Sequence, residues 1–114
     1  VKAVVIDDAP LDYEEFSFTT KILMGNYVKG SIYLSKDEIK KYNNIKSLTA
    51  SYPAAFLLGS EYRTDMITMS KKLKEHVLVE ETNQPHCFVA EERTNPVAKE
   101  AFDKLIAFMD EKTK

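Results

Sequence analysis

The sequence predicts an α/β fold with three layers, in which a short parallel sheet of about three strands lies between flanking helices. The first observation is an apolar run over residues 54–58, which lies between Pro53 and the pair Gly59-Ser60. A short apolar run between turn residues is typical of a strand buried on both faces, as in a parallel sheet. The second observation is that segments with helical spacing separate this run from other strand-like segments. Such alternation indicates βαβ units.

The chain opens on Val1–Ile6, an apolar segment rich in β-branched residues, which predicts a strand that ends at Asp7-Asp8-Ala9-Pro10. Natural chain ends tend to be polar, so we expect these first residues to have been interior to a longer chain. The strand would then lack a neighbour on one side. Because exposed strand edges pair with other chains, we expect self-association through Val1–Ile6.

The next part of the chain predicts two shorter helices. Apolar residues between Phe16 and Met24 favour one helix, which Gly25-Asn26 would end. An apolar patch follows over residues 31–34. Ser35 then offers an N-cap with acidic residues in the following turn, so a second helix is predicted over about Lys36 to Tyr42.

The second half of the chain continues the alternation of helices and strands. Helical spacing begins at Asp65, a third strand is predicted over 76–80, and a polar loop leads to His86. The last helix is predicted to start at Thr94-Asn95-Pro96, because proline suits the first helical turn. The apolar positions of this helix recur with helical spacing at Val97, Ala101, Phe102, Leu105, Ile106 and Met109.

Length and composition narrow the possible functions. The 114 residues suffice for one domain, so 1–114 is expected to be a single domain, and 44% hydrophobic with 30% charged residues is typical of a globular protein. A formal net charge of −2 gives no reason to expect nucleic acid or an anionic membrane as a partner. The single cysteine, Cys87, excludes an intrachain disulfide and a multi-cysteine zinc site. No apolar run reaches membrane-spanning length, and we expect a cytoplasmic protein.

Two side chains in the second half are candidates for catalysis. Asp65 follows the central strand, His86 follows the next one, and the carboxyl ends of parallel strands are where functional groups collect. A histidine oriented by a carboxylate is the general-base half of a nucleophilic triad. Glu61, in the same loop as Asp65, competes for the role of the acid. Asp65 could instead only stabilise the helix that it begins, and His86 could be a solvent-facing loop residue.

From Ser47 onward the chain resembles the C-terminal part of an α/β-hydrolase of the esterase and lipase kind. In that family a proline-preceded strand ends in glycine and a short loop that holds the catalytic acid, similar to Pro53 through Gly59 to Asp65. A helix and a strand follow, and then a loop with a histidine and an aromatic residue, similar to Pro85-His86-Cys87-Phe88. A last apolar helix closes the fold, similar to residues 98–109.

The beginning of the chain resembles the same family. Residues 1–12 are similar to the strand that follows the nucleophile helix, and residues 13–46 would lie where the family inserts its variable cap. In that position four apolar side chains could line an acyl or alcohol pocket: Phe16, Phe18, Ile22 and Tyr33. The family's nucleophile motif, Gly-x-Ser-x-Gly, does not occur in this chain.

The resemblance implies the C-terminal segment of a serine hydrolase that acts on a small carboxylic ester. His86 would be its general base and acid, Asp65 would orient the imidazole, and no cofactor or metal would be needed. Whether the chain itself is an enzyme stays open, and we expect no ester hydrolysis by it alone because a nucleophile and an oxyanion hole are missing.

Three other interpretations compete with this one. Cys87 beside His86 suggests a cysteine nucleophile, but adjacent side chains of an extended segment point in opposite directions, which favours a buried structural cysteine. The chain could also be a non-catalytic α/β interaction domain. Finally, the acidic pair Asp7-Asp8 after the first strand is similar to the start of a receiver domain, although Gly59 would stand where the phosphate-accepting aspartate belongs.

Overall fold

The computed structural model describes residues 1–30 and 34–114. The chain forms two compact units. Unit 1 comprises Val1–Ala9 and Thr49–Lys114, and unit 2 comprises Pro10–Leu48. The segment predicted to resemble a cap, 13–46, falls within unit 2. Tyr33 and most of the predicted apolar patch over 31–34 lie outside the described residues.

Unit 1 contains a parallel sheet with the order β1-β2-β3. Its strands are β1 (Ala3–Asp7), β2 (Ala54–Gly59) and β3 (His76–Glu80). In the register Asp7 lies opposite Leu58, and Gly59 lies opposite Glu80. The three strands therefore end at the same edge of the sheet. The predicted α/β fold with a short parallel sheet is confirmed.

Helices cover both faces of β2, whose six residues are all buried. Helix α4 (Pro96–Lys112) packs on the face that presents Phe56 and Leu58, and the rings of Phe56 and Phe108 lie 5.5 Å apart. Helix α3 (Arg63–Ser70) packs against β2 and β3. Alternation of side chains along the strand places α3 on the opposite face from α4. The result is the predicted arrangement of three layers.

Gly59 lets the chain turn from β2 into α3 at close range. A Cβ built on Gly59 would lie 3.0 Å from the Cα of Arg63 and 3.1 Å from the Cγ of Met66. Real Cβ contacts are seldom this short, so a larger residue would push the start of α3 away from the end of β2. The position of the loop between them depends on this contact.

Unit 2 contains a 3₁₀ turn (Tyr13–Glu15), helix α1 (Phe18–Lys29) and helix α2 (Lys36–Tyr42). The bounds predicted for α2 are confirmed, and Ser35 forms a capping box with Glu38. The prediction that Gly25-Asn26 ends the preceding helix is wrong. Gly25 is buried within α1, and the helix ends instead at Gly30, whose φ of 64° is the left-handed conformation of a C-cap.

Within the described ranges, no helix combines the length and the apolar character that crossing a membrane requires.

Candidate active site at the carboxyl edge of the sheet

The candidate site lies in unit 1 where the three parallel strands end. Asp8 follows β1, the segment Ser60-Glu61-Tyr62 follows β2, and the loop that follows β3 ends in His86. These segments are up to 79 residues apart in sequence, as between Asp8 and Cys87. The common register of the strands brings them to one edge, which is where parallel sheets place ligands and reacting groups.

The carboxylate of Asp8 is the centre of this site and is almost completely buried, with 1% of the residue exposed. Its Oδ1 accepts hydrogen bonds from the backbone N–H groups of Ser60 and Tyr62, each at 2.8 Å. Its Oδ2 accepts from the N–H groups of Glu61 at 3.1 Å and Cys87 at 3.2 Å. Three successive N–H groups after β2 therefore surround the carboxylate, which compensates for its loss of water.

The imidazole of His86 completes the shell around Asp8. Its Nδ1 lies 2.7 Å from Asp8 Oδ2 and 3.1 Å from Glu61 Oε2. The ring of Tyr62 lies edge-on to the imidazole, with centroids 5.8 Å apart and planes at 81°. The His86 side chain is half exposed, whereas that of Asp8 is not exposed at all. The ring is thus held at Nδ1 by a buried acid and remains accessible from solvent.

The two adjacent aspartates of the site have opposite pKa shifts. Burial alone would raise the pKa of Asp8, but the N–H donors of Ser60, Tyr62 and Cys87 and the His86 ring outweigh it and lower the pKa of Asp8 below its ordinary value. Burial, followed by the charge of Asp8, raises the pKa of Asp7. Because Asp8 is ionised and can only accept hydrogen bonds, Nδ1 of His86 must carry the proton in their contact.

A chain of hydrogen bonds fixes the loop that carries His86. The hydroxyl of Ser60 donates to the carbonyl oxygen of Gln84. The side-chain amide of Asn95 donates to Oε1 of Gln84 at 2.6 Å, while its own oxygen accepts from Val97 N at 3.1 Å and so caps α4. The loop is therefore anchored both to the end of β2 and to the start of α4.

The backbone is strained at two points of the site. Asp8 has φ 50° and Cys87 has φ 54°, and these are the positive-φ positions other than glycine in the part of the chain that the structure describes. The left-handed conformation is unfavourable for residues with a Cβ, and such strain is concentrated at functional sites. In this protein both strained residues contact His86 or its acid.

The structure corrects the interpretation of Cys87. The segment is not extended at φ 54°, and Sγ lies 3.4 Å from Nε2 of the neighbouring His86 and 3.7 Å from the carbonyl oxygen of Asp7. The two side chains therefore meet instead of pointing apart. Burial raises the pKa of the Cys87 thiol, and the carboxylates of Asp7 and Asp8 raise it further. A thiol with these neighbours stays protonated and is a poor nucleophile.

Asp8, Glu61 and His86 could in principle share a metal ion, since one ligand atom from each lies within 4.8 Å of the others. Asp8, however, already accepts from five donors, four of them backbone N–H groups. An ionised carboxylate offers about four lone-pair directions, so none is left over for a cation. The cluster suits the orientation of an imidazole better than the binding of a metal.

The structure brings two of the candidate residues into direct contact, and the third lies in the helix that follows Glu61. His86 and Glu61 meet at the site, and Asp65 lies in the first turn of α3. The carboxylates shown in contact with the imidazole are those of Asp8 and Glu61, and the orienting role of Asp65 stays a prediction. Asp8 was not identified from the sequence as a catalytic candidate. Its position directly after a predicted parallel strand could have indicated it.

No family model matches this chain, and the searches of curated proteins and of solved structures likewise found no match.

Proposed function

We propose that this chain supplies the acid and the histidine of a serine-hydrolase active site that acts on carboxylic esters. The observation that carries the proposal is the contact of His86 Nδ1 with the buried carboxylate of Asp8 at 2.7 Å. This is the contact by which an acid selects the imidazole tautomer whose Nε2 can accept a proton. The α/β fold and the position of the site at the carboxyl edge of the sheet add support.

In the proposed reaction His86 acts first as general base. Its Nε2 takes the proton of a serine hydroxyl while the serine oxygen bonds to the ester carbonyl carbon. The imidazolium that forms is stabilised by the ionised Asp8. It then returns the proton to the alkoxide leaving group as the ester C–O bond breaks, and water removes the acyl group by the same steps. The serine is proposed to come from a longer protein of which this chain is the C-terminal segment, in a cytoplasmic setting.

The geometry favours Asp8 over Glu61 for the orienting role. Asp8 is buried, and its carboxylate is held by four backbone N–H groups. Its position therefore does not depend on the side-chain rotamers of the residues that donate to it. The side chain of Glu61 is 56% exposed and makes the longer contact. We assign Glu61 a supporting role next to the imidazole and keep Asp65 as the alternative acid. Variants of the three acids can separate these assignments.

The first test measures the tautomer of His86 by ¹⁵N NMR of the side-chain nitrogens. The wild-type chain is expected to show a protonated Nδ1 and an unprotonated Nε2 at neutral pH. Asp8→Asn should remove this preference, whereas Glu61→Gln and Asp65→Asn should retain it. His76, which is exposed on β3, serves as an internal reference. A preference lost in Asp65→Asn and kept in Asp8→Asn would return the acid to Asp65.

The second test measures hydrolysis of p-nitrophenyl acetate. In the longer protein that the proposal requires, Asp8→Asn should lower kcat by about 10⁴-fold, as loss of the correct tautomer does in serine proteases. Glu61→Gln should change kcat far less. The 114-residue chain alone is expected to show no turnover that depends on His86. Such turnover would contradict the proposed source of the nucleophile, and unchanged kcat in Asp8→Asn would contradict the proposed function.

A further inference from the structure

Ser60 joins the buried acid of the site to the loop that carries the histidine. Its backbone N–H donates to Oδ1 of Asp8 at 2.8 Å, and its side-chain hydroxyl donates to the carbonyl oxygen of Gln84. Gln84 lies two residues before His86 in the loop that follows β3. Ser60 directly follows Gly59, the last residue of the buried strand β2. A residue at the edge of the sheet therefore holds the acid with its main chain and the histidine loop with its side chain.

The residue between Gln84 and His86 transmits this contact to the imidazole. The carbonyl group of Gln84 belongs to the planar peptide that also contains N and Cα of Pro85. The proline ring fixes φ of Pro85 at about −65°, so ψ of Pro85 is the one soft torsion between the held peptide and the Cα of His86. A displacement of the Gln84 carbonyl is therefore passed on to His86 instead of being absorbed along the loop.

The chain is also held on the other side of His86, where the backbone N–H of Cys87 donates to Oδ2 of Asp8 at 3.2 Å. His86 thus lies between two anchored peptides. The two anchors can be separated by substitution, because removal of the Ser60 hydroxyl breaks the upstream one and leaves all four backbone hydrogen bonds to Asp8 in place. The contribution of the upstream anchor to the imidazole can therefore be measured by itself.

We propose that the Ser60 hydroxyl is a positioning group of the site, which holds the Gln84 carbonyl so that Nδ1 of His86 stays within hydrogen-bond reach of Asp8. Its importance for ester hydrolysis rests on the proposed function, whereas its effect on the imidazole is measurable in this chain without a substrate. A hydroxyl that only stabilised the fold would lower the free energy of unfolding on removal and leave the protonation of the two imidazole nitrogens unchanged. The tautomer of His86 is therefore the decisive measurement.

The test is ¹⁵N NMR of the imidazole nitrogens in the folded 114-residue chain at neutral pH, with His76 as the internal reference. In Ser60→Ala the ratio of the Nδ1-protonated to the Nε2-protonated tautomer of His86 is expected to fall about tenfold, the typical effect of losing a hydrogen bond to a charged group. The Nδ1 proton should also exchange faster with water, because it is no longer held against a buried carboxylate. Ser60→Thr keeps the hydroxyl and should restore both readings.

Ser70→Ala is the matched control for the loss of a hydroxyl. The Ser70 hydroxyl also donates to a backbone carbonyl, that of Ile67 at 2.7 Å, and Ser70 is buried in the same unit. Its loss should lower the urea midpoint of unit 1 and leave the tautomer ratio of His86 as in wild type. Pro85→Gly tests the transmission through the loop. Pro85 is exposed, and freeing its φ should lower the ratio as Ser60→Ala does, although the Ser60 hydroxyl is still present.

Three results would overturn the positioning role. The first is a wild-type tautomer ratio of His86 in folded Ser60→Ala. The second is a ratio in Ser60→Thr as low as that in Ser60→Ala, since the hydroxyl would then not be the group that matters. The third is a wild-type ratio in Pro85→Gly, which also decides the question if Ser60→Ala does not fold.

Hydrolysis of p-nitrophenyl acetate by the longer protein separates this inference from the proposed function. Ser60→Ala should lower kcat by about 10–100-fold with little change in KM, because a small misplacement of a reacting group can cost about 100-fold in rate. A large loss of kcat in Asp8→Asn with an unchanged kcat in Ser60→Ala would overturn the role of Ser60 alone. An unchanged kcat in Asp8→Asn would overturn the proposed function, while the tautomer measurement on Ser60 would still stand.

Discussion

Replacement of the buried Asp8 by asparagine gives a sharp test of the site, because the side-chain amide is isosteric with the carboxylate but cannot accept at both ends. If the amide oxygen faces Ser60 N and Tyr62 N, the NH₂ group faces two other backbone N–H groups, those of Glu61 and Cys87. If the side chain is flipped, the two pairs exchange roles. In either orientation two backbone N–H donors lose their acceptor.

The expected loss of stability follows from this count. The net value of a typical hydrogen bond is about 0.5–1.5 kcal/mol, so the loss of two partly buried ones in Asp8→Asn should lower the free energy of unfolding of unit 1 by about 1–3 kcal/mol. The assay is urea unfolding at pH 7, followed by the amide resonances of β2. Asp103→Asn serves as the control, since the exposed pair of Asp103 with Lys99 on α4 is worth less than about 1 kcal/mol. A loss below about 1 kcal/mol for Asp8→Asn would refute the hydrogen-bond network around the carboxylate.

The pH dependence of the same measurement gives a second check on Asp8. Its pKa is lower in the folded chain than its ordinary value of 3.8, so its contribution to stability is fully present above that value. The contribution is lost as the pH falls through the lower, folded pKa. Asp8→Asn should therefore remove part of the acid sensitivity of wild-type unit 1. An identical loss of stability with acid in both proteins would contradict the assigned shift.

Three further changes probe other parts of unit 1. The raised pKa of Asp7 means that its negative charge opposes folding above its ordinary pKa of 3.8. Asp7→Asn should therefore raise the urea midpoint of unit 1 at pH 7 and have less effect at pH 3. A lower midpoint at pH 7 would contradict the direction of this shift. Gly59→Ala should destabilise unit 1 by about 1–3 kcal/mol, because the new Cβ would crowd Arg63 and Met66. A thermal unfolding midpoint equal to that of wild type would show that α3 moves away from the new Cβ without loss of stability. Val5 on the edge strand β1 is 39% exposed. Val5→Lys should weaken the predicted self-association, because a charge on an edge strand opposes pairing with another chain. A wild-type chain that sediments as a monomer would contradict the predicted self-association.

Several elements could be predicted from the sequence because their signals are local. The apolar run of β2 and the helical spacing of α4 require burial whatever the rest of the chain does. The capping box that starts at Ser35 likewise determines the beginning of α2 within four residues of sequence. Where two local signals of the same kind competed, the prediction failed. Gly25 and Gly30 are both glycines that could end α1, but Gly25 is a buried residue within the helix and Gly30 is the C-cap.

The sequence by itself determined that His86 follows a strand of a parallel sheet and is therefore a candidate for chemistry. Only the tertiary structure decided which acids lie beside it. Asp8 is 78 residues away, and its contact with His86 depends on the register of β1 with β2 and of β2 with β3. The contact also depends on the left-handed conformation of Asp8 and on the N–H groups of the loop after β2. No local pattern encodes such a contact, because the hydrogen bonds that hold Asp8 come from backbone N–H groups that every residue type except proline carries.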